Sequence, residues 1–228
     1  QNDGADVIDG DAVTNSGSDT VDYSALNNAA NKIVVDLSTV DGSSYSDVIV
    51  TAATGESSNS TANDDKIKNI ENIIATAGND TITGNSLANI IDGGNGIDEM
   101  RYDYSSVVST GVNVNLLTGT ATEIVSGLSV VDQLSNIEKI VGSNWDDNFI
   151  TNGTVSNYID GNEGVTGRLE VNGDTVDYSS KSTAINVTLN NSTLATVTVS
   201  SGINDYVQNI ENVSGSTAAD TIIGDAGN

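Results

Sequence analysis

The sequence predicts an all-β fold in which short parallel strands stack as the coils of a solenoid, interrupted by antiparallel hairpins. Three observations predict this fold. A nine-residue period places one apolar and one oxygen-bearing side chain at fixed positions, and a longer block recurs three times along the chain. Between the blocks lie runs of alternating polar and apolar residues, which is the pattern of half-buried strands.

The nine-residue period is clearest over residues 66–101, which divide into KIKNIENII, ATAGNDTIT, GNSLANIID and GGNGIDEMR. The sixth positions carry side-chain oxygen atoms: Glu71, Asp80, Asn89 and Asp98. The eighth positions are apolar: Ile73, Ile82, Ile91 and Met100. A strand of about three residues points its middle side chain to one face, and glycine allows the sharp reversal that must follow. Each nonapeptide therefore predicts one strand and one turn.

We call the sixth and eighth positions of the nonapeptides the two columns, and both columns continue elsewhere in the chain. The sixth positions there are Asp6, Glu138, Asp147, Asn157, Glu211 and Asp220. The eighth positions there are Ile8, Ile140, Phe149, Ile159, Val213 and Ile222. One extra residue, Thr151, interrupts the frame. The columns therefore predict stacked coils well beyond residues 66–101.

A longer block divides the chain into three modules of about 70 to 80 residues, roughly 1–65, 66–131 and 132–228. Its markers are GSDTVDYS, GIDEMRYDYS and GDTVDYS, each followed later by DKIKNIENI, DQLSNIEKI or DYVQNIENV. We call DKIKNIENI, DQLSNIEKI and DYVQNIENV the second marker. In all three copies its first residue, an aspartate, lies four residues before an asparagine. We expect one elongated domain, cut from a longer protein.

The stretches 22–65, 103–131 and 178–204 do not follow the nine-residue frame. The runs NKIVVDLS, VNVNLL, INVTLNN and TVTVS alternate as half-buried strands, and the longer run VNVNLLTGTAT (112–122) also predicts one alternating strand. We expect these excursions to form hairpins that extend the sheets. Tyr23, Tyr102 and Tyr178 stand where the excursions begin and are expected to pack in the core.

The composition excludes several functions. The chain carries 32 acidic residues against 7 basic residues, a net charge of -25, which disfavours binding to nucleic acid. It contains no histidine or cysteine, which excludes the usual zinc hydrolases and serine or cysteine triads. No apolar run is long enough to cross a bilayer as a helix, and the first residues present do not have the pattern of a signal peptide. An acidic surplus repels itself unless cations neutralise it.

GGNGIDEMR (93–101) resembles the GGxGxDxUx nonapeptide of the RTX, or haemolysin-type, calcium-binding repeats, where U is apolar. The order DTVDYS, alternating strand, NIEN, GNDTITGN and NxIDGG is similar to repeating segments of large RTX surface proteins and adhesins. All three modules carry this pattern, although only residues 75–101 come close to the ideal repeat. The resemblance implies a right-handed parallel β-roll that binds several Ca²⁺ ions in its turns.

The resemblance also implies calcium ligands from turns that lie two apart. The first predicted site combines Asp80 and the carbonyls of Thr76 and Gly78 with Asp98 and the carbonyls of Gly93 and Asn95. A weaker second site combines Glu71 and the carbonyls of Ile67 and Asn69 with Asn89 and the carbonyls of Gly84 and Ser86. The second site offers one charge in place of two, and calcium affinity follows the number of charged ligands.

Three further sites are less complete. Asp147 is well placed, but an insertion in 161–174 is expected to displace its partner Asp174. Asp220 lacks a second turn, and Asp6 and Asp19 are expected to pair across the insertion 10–17. Ordinary β-turns with Asx caps are the alternative explanation of all these turns. Asp9, Asp92 and Asp160 in the repeated IDG are expected to cap the next turn rather than bind an ion.

The favoured function is a non-catalytic calcium-binding structural segment of a secreted bacterial cell-surface protein, either an S-layer protein or an adhesin. By the resemblance, such a chain leaves the cell by type I secretion and folds outside when it binds Ca²⁺. Its partners would be calcium, other copies in a surface lattice, or a cell-surface polysaccharide, with no membrane insertion. The alternatives are the carrier region of a secreted RTX hydrolase or toxin, a β-helical polysaccharide-active enzyme, and an ice-binding solenoid.

Overall fold

The computed structural model of the chain describes residues 6–10, 17–39, 45–51, 65–103, 110–162, 173–200 and 202–225. These residues form 21 strands and one short 3-10 helix, Leu37–Thr39, so the predicted all-β class is confirmed. The chain divides into two compact units. Unit 1 comprises residues 1–105 and 132–137, and unit 2 comprises residues 106–131 and 138–228.

Unit 1 contains two sheets made largely of parallel strands. One sheet has the order β1-β5-β4-β3-β7-β9 and the other has the order β2-β6-β8-β12. The strands are β1 (Val7–Asp9), β2 (Thr20–Asp22), β3 (Lys32–Asp36), β4 (Ser46–Thr51), β5 (Asp65–Lys68), β6 (Asn72–Ile74), β7 (Thr81–Thr83), β8 (Ile90–Asp92) and β9 (Glu99–Arg101). The end of β12 (Leu128–Ser135) completes the second sheet by pairing with β8.

Unit 2 repeats this arrangement with the orders β13-β15-β19-β18-β17-β21 and β11-β10-β14-β16-β20. Its strands are β10 (Asn113–Asn115), β11 (Thr120–Val125), β13 (Lys139–Val141), β14 (Asn148–Ile150), β15 (Tyr158–Asp160), β16 (Thr175–Asp177), β17 (Asn186–Thr188), β18 (Ala195–Ser200), β19 (Ile203–Gln208), β20 (Asn212–Ser214) and β21 (Thr221–Ile223).

The nine-residue period produces strands of three residues whose middle side chain is buried. Ile82 of β7 pairs with Met100 of β9, and Ile73 of β6 pairs with Ile91 of β8. All four side chains are fully buried. Because successive side chains of a strand point to opposite faces, one buried apolar residue per strand is enough to extend the core.

The excursions form antiparallel pairs within the sheets, as expected. Strand β3 pairs with β4, β4 with β5, and β18 with both β17 and β19. The segment VNVNLLTGTAT is not one strand, however, because β10 and β11 form an antiparallel hairpin around residues 116–119. The Asn115 side chain accepts the N–H groups of Leu117 and Thr118, and Gly119 has a positive φ. This turn chemistry reverses the chain.

Stacked parallel strands with short turns, interrupted by few antiparallel pairs, form a β-solenoid-like fold. The predicted division into three modules and the structural division into two units are different. The block repeats three times in sequence, whereas compactness groups the first module with most of the second.

Candidate metal centre

Asp80 and Asp98, the first predicted pair, lie in stacked turns of unit 1. They precede β7 and β9, which pair in parallel with Thr81 opposite Glu99. The backbone N–H of Asp80 donates to Oδ1 of Asp98 at 2.7 Å. The two residues are only 1% and 0% exposed, respectively. The structure therefore places the Asp98 carboxylate against the backbone of Asp80 in two stacked turns, with both residues buried.

The Asp80 carboxylate organises its own turn through hydrogen bonds. Oδ1 accepts the N–H of Ile33 at 2.6 Å, and Oδ2 accepts the N–H of Thr76 at 2.8 Å. The Thr76 hydroxyl lies 2.9 Å from Oδ1. Burial raises the pKa of Asp80, and the hydrogen bonds partly oppose that shift. The carboxylate thus links the excursion strand β3 to the turn of residues 76–80.

Two of the four predicted carbonyl ligands, those of Thr76 and Gly78, lie against the stacked turn of residues 93–98. A Cβ atom on Gly94 would lie 2.2 Å from the carbonyl oxygen of Thr76, and one on Gly96 would lie 2.2 Å from that of Gly78. A Cβ atom on Gly93 would lie 2.8 Å from Oδ2 of Asp98. Asn95 is exposed. Glycine is needed here because carbonyl and carboxylate oxygens of the stacked turns occupy the space of a side chain.

These groups match the chemistry of a hard cation, which takes carboxylate and carbonyl oxygens. Among the described residues no group of three or more acidic side chains comes together. A cation at this position would therefore take two carboxylates and complete its shell with backbone carbonyls. Because both Asp80 oxygens accept hydrogen bonds, the ion would compete with the N–H donors of Ile33 and Thr76.

The Asp80 turn has counterparts in unit 2. Asp147 accepts the N–H of Val112 at 2.6 Å and that of Ser143 at 2.7 Å. Asp220 accepts the N–H of Ile185 at 2.8 Å and the hydroxyl of Ser216 at 2.6 Å. In all three turns a Thr or Ser four residues before the aspartate binds its carboxylate. This hydroxyl is a feature that the column analysis missed.

The structure keeps Asp174 in line with Asp147, so the expected displacement by the insertion is wrong. The N–H of Asp147 donates to Oδ1 of Asp174 at 2.7 Å, and β14 pairs with β16 with Phe149 opposite Val176. Residues 163–172 of the insertion lie outside the described residues. The parallel pairing sets the register, so Asp147 and Asp174 form a second stacked carboxylate pair.

Glu71 and Asn89, the weaker predicted pair, also lie in stacked turns, but their polar groups bind elsewhere. The Asn89 side-chain amide donates to the backbone oxygen of Glu71 at 2.9 Å, and its own oxygen accepts the N–H of Asn85. The Glu71 carboxylate accepts the N–H of Asp19 at 2.9 Å. The Asn89 amide therefore binds the Glu71 backbone, and the Glu71 carboxylate binds the Asp19 backbone.

The remaining predicted ligands are distributed over several coils. Ile67 is the buried middle residue of β5, opposite Ile8, and the carbonyl of Asn69 lies against Gly10. The N–H of Gly84 donates to the carbonyl of Arg101, and Ser86 lies in the turn between β7 and β8.

Asp6 and Asp19 are expected to pair with each other, but each donates its N–H to a different carboxylate. Asp6 precedes β1, and its N–H donates to Asp65. Asp19 precedes β2, which belongs to the other sheet of unit 1, and it lies beside Glu71. Residues 11–16 of the insertion between them lie outside the described residues.

A single pattern of hydrogen bonds runs through all these turns. The backbone N–H directly before one parallel-paired segment donates to the carboxylate directly before the segment with which it pairs, and we call these bonds the cross-turn hydrogen bonds. The donor and acceptor pairs are Asp6–Asp65, Asp19–Glu71, Ile33–Asp80, Asp80–Asp98, Asn89–Asp132, Val112–Asp147, Asp147–Asp174, Asn157–Asp205, Asp174–Glu211 and Ile185–Asp220.

Sequence reasoning assigned no role to Asp65, Asp132 and Asp205, the leading aspartates of the second marker. Each accepts a cross-turn hydrogen bond, and the Tyr23 and Tyr102 hydroxyls donate to Asp65 and Asp132 at 3.0 and 3.1 Å. The tyrosines therefore pack in the core and also bind a carboxylate. Their constant place at the start of each excursion, with the aspartate at its end, was the available signal.

The IDG aspartates bind the asparagines of the recurring NIE. Asn69, Asn136 and Asn209 each donate their side-chain amide to Asp9, Asp92 or Asp160 at 2.7 Å. Asp92 and Asp160 also accept the N–H two residues further on. The expected capping role is therefore confirmed for these two residues, and a link between coils is added to it.

No protein-family model matches the chain, and no curated protein is significantly similar to it. In the part of the chain that the structure describes, no helix is long and apolar enough to span a membrane.

Proposed function

We propose that this chain is a calcium-binding structural segment of a secreted bacterial cell-surface protein, an S-layer protein or an adhesin, with no catalysis of its own. The finer fold that we propose is a right-handed RTX-type β-roll. The observation that carries the proposal is the register of Asp80 with Asp98, repeated by Asp147 with Asp174, at turns whose carbonyls lie between stacked coils.

The proposed mechanism is folding coupled to ion binding. A net charge of -25 opposes compaction, and most of the three-residue strands bury only one apolar side chain. Several Ca²⁺ ions would offset the repulsion and join neighbouring turns, so their binding energy would contribute directly to folding. A chain with this property stays unfolded where calcium is scarce, passes through a type I secretion channel, and folds outside the cell.

The antiparallel excursions support the surface role over the carrier region of an RTX hydrolase or toxin. Carrier regions of that family run their nonapeptides back to back, whereas here β3–β4, β10–β11 and β17–β18 interrupt the stack. The partners of a surface segment would be other copies in a lattice, or a cell-surface polysaccharide.

A calcium titration followed by circular dichroism and sedimentation tests the proposal. We expect excess EDTA to abolish most of the far-UV β signal, because the carboxylates then repel one another without compensation. We expect Asp80→Asn combined with Asp98→Asn to raise the calcium midpoint by at least about tenfold, since two charged ligands are lost.

Asp177→Asn together with Asp22→Asn is the matched control, because it removes the same charge from residues that cap the turns after β16 and β2. Its calcium midpoint should change by less than about twofold. A β spectrum that survives excess EDTA unchanged would contradict the proposed mechanism. A concentration-dependent increase in sedimentation would support the lattice role.

A further inference from the structure

Lys181 holds a defined place at the start of the third excursion in unit 2. Its N–H donates to the carbonyl of Tyr178 at 2.8 Å, and its own carbonyl accepts the N–H of Thr217 at 3.0 Å. It is one of only 7 basic residues in a chain with 32 acidic ones. Its backbone is therefore fixed close to the core, and few other cations exist to balance the buried acids.

The Lys181 ammonium group lies inside the turn that follows β14. Nζ donates to the carbonyl of Thr151 at 2.6 Å, and Thr151 is fully buried. Gly153 adopts a positive φ of 70°, and a Cβ atom there would lie 2.6 Å from Nζ. The turn thus leaves space for the ammonium, and any larger residue at position 153 would have to displace it.

Asp205 is the fully buried acid beside this turn. Its Oδ1 accepts the cross-turn hydrogen bond from Asn157 at 2.9 Å. The hydroxyls of Thr151 and Tyr178 lie next to the carboxylate. Among the described residues, however, no donor meets hydrogen-bond geometry at Oδ2 of Asp205. A buried carboxylate that is incompletely hydrogen-bonded is costly unless a nearby charge balances it.

Lys181 places a positive charge on the same turn, because its Nζ binds the Thr151 carbonyl and Asp205 binds the N–H of Asn157. Burial raises the pKa of Asp205, and the hydrogen bonds and the positive charge of Lys181 oppose the rise. Burial lowers the pKa of Lys181, and the negative charge of Asp205 opposes that fall. Each charge therefore offsets part of the cost of burying the other.

The first module shows the same place without a cation. Leu26 occupies the position of Lys181, since its N–H donates to the carbonyl of Tyr23 and its carbonyl accepts the N–H of Ala77. There the Tyr23 hydroxyl binds Asp65 directly at 3.0 Å, and Asp65 is only half-buried. Solvent can stabilise that carboxylate, whereas Asp205 is fully buried.

We propose that Lys181 is a built-in cation of unit 2, whose ammonium binds the Thr151 carbonyl and neutralises the buried Asp205, so that the base of the third excursion is held together by the chain's own charge. The ammonium and the buried Asn157 side-chain nitrogen are donors and not metal ligands, so the proposal assigns no metal ion to this turn. The proposal does not depend on calcium binding at the other turns.

A double-mutant cycle at one fixed calcium concentration tests it, using Lys181→Met, Asp205→Asn and the two combined. We expect Lys181→Met to lower the Tm by about 5 to 10 °C, because it leaves a buried carboxylate unbalanced. The double variant should recover at least half of that loss, since no buried charge then remains. Lys32→Met is the matched control, because Lys32 is exposed, and its Tm should change by less than about 1 °C.

The proposal would be overturned if the Tm loss of the double variant equalled the sum of the losses of Lys181→Met and Asp205→Asn. It would also be overturned if Lys181→Met had the same Tm as the control. If Lys181→Met does not fold, the double variant decides the question, since its folding would support the built-in cation and its failure would contradict it. Lys181→Arg retains the positive charge and should retain more of the Tm than Lys181→Met.

Discussion

At the scale of single residues, the glycines of the turns are explained by their neighbours in the next coil. A Cβ atom on Gly78 would lie 1.7 Å from the carbonyl oxygen of Asn31, although its φ is not in the positive range. The sequence predicts that glycine makes a turn. It does not reveal which excursion residue lies against that glycine, because β3 pairs with β7 only in the folded chain.

Gly78→Ala is therefore expected to destabilise the protein by at least about 2 kcal/mol, because a backbone carbonyl must move. Gly224→Ala is the control, since no atom of the described residues lies within 4 Å of its added Cβ and its φ is not in the positive range. The control should change the free energy of unfolding by less than about 0.5 kcal/mol. Equal losses in urea unfolding at saturating calcium would show that the close approach to Asn31 is absent.

Asp132 gives a pH dependence that can be assigned to one residue. It is fully buried, it accepts hydrogen bonds from Asn89 and Tyr102, and burial raises its pKa to about 6 from 3.8. A carboxyl group with a raised pKa stabilises the folded state below its unfolded pKa and loses that contribution as the pH rises through the folded pKa. The Asp132 contribution should therefore fall by at most about 3 kcal/mol between about pH 4 and pH 6.

Unfolding free energies measured across this pH range, at fixed calcium, check the expectation. Asp132→Asn removes the titrating group, so its stability should fall less, or rise more, with increasing pH than that of the parent chain. Identical pH profiles for the two proteins would mean that Asp132 does not carry a raised pKa.

At the scale of elements, the asparagine links explain how consecutive blocks are held in register. Asn136 adopts a positive φ of 53°, donates to Asp92, and places its carbonyl against Gly93. We expect Asn136→Gly to cost about 1 kcal/mol through the lost hydrogen bond, and Asn136→Ala to cost about 1 kcal/mol more through backbone strain. Ser126→Gly, at an exposed turn with a φ of 51°, should not destabilise the protein.

The elements themselves were predictable where a repeat or an alternating pattern fixed them. The strands of residues 66–101 and the excursion strand β3 follow the expected positions. The prediction of one strand over residues 112–122 was wrong, because alternation of polar and apolar residues fits a single strand and a tight hairpin equally well. Only the combination of the Asn115 cap with a positive φ at Gly119 distinguishes the hairpin.

At the scale of the whole molecule, the net charge of -25 predicts a difference between screening and binding. In EDTA, about 1 M NaCl screens charges beyond about 3 Å and should reduce general repulsion. We expect it to restore less β signal than millimolar calcium, because screening cannot join neighbouring turns. Circular dichroism in the two solutions checks this, and full recovery in NaCl would assign the effect of calcium to screening alone.

The sequence predicts which residues carry the oxygen atoms of the candidate sites, but only partly which of these residues lie next to each other. The sequence identifies Asp80 and Asp98 because no excursion separates their turns, and the structure stacks them. It misjudges Asp174, because spacing along the chain is a poor guide where residues 163–172 intervene and the β14–β16 register decides the position. It likewise suggests a pair of Asp6 and Asp19, which the structure assigns to different sheets.

The cross-turn hydrogen bonds all run the same way, from a backbone N–H earlier in the chain to a carboxylate later in it. The stack therefore has a polarity, with an acceptor surface facing its start and a donor surface facing its end. A coil grafted from one position to another in the native orientation can satisfy both neighbours. A coil inserted in reverse would set carboxylate against carboxylate, so recombination of these repeats can change their number but not their direction.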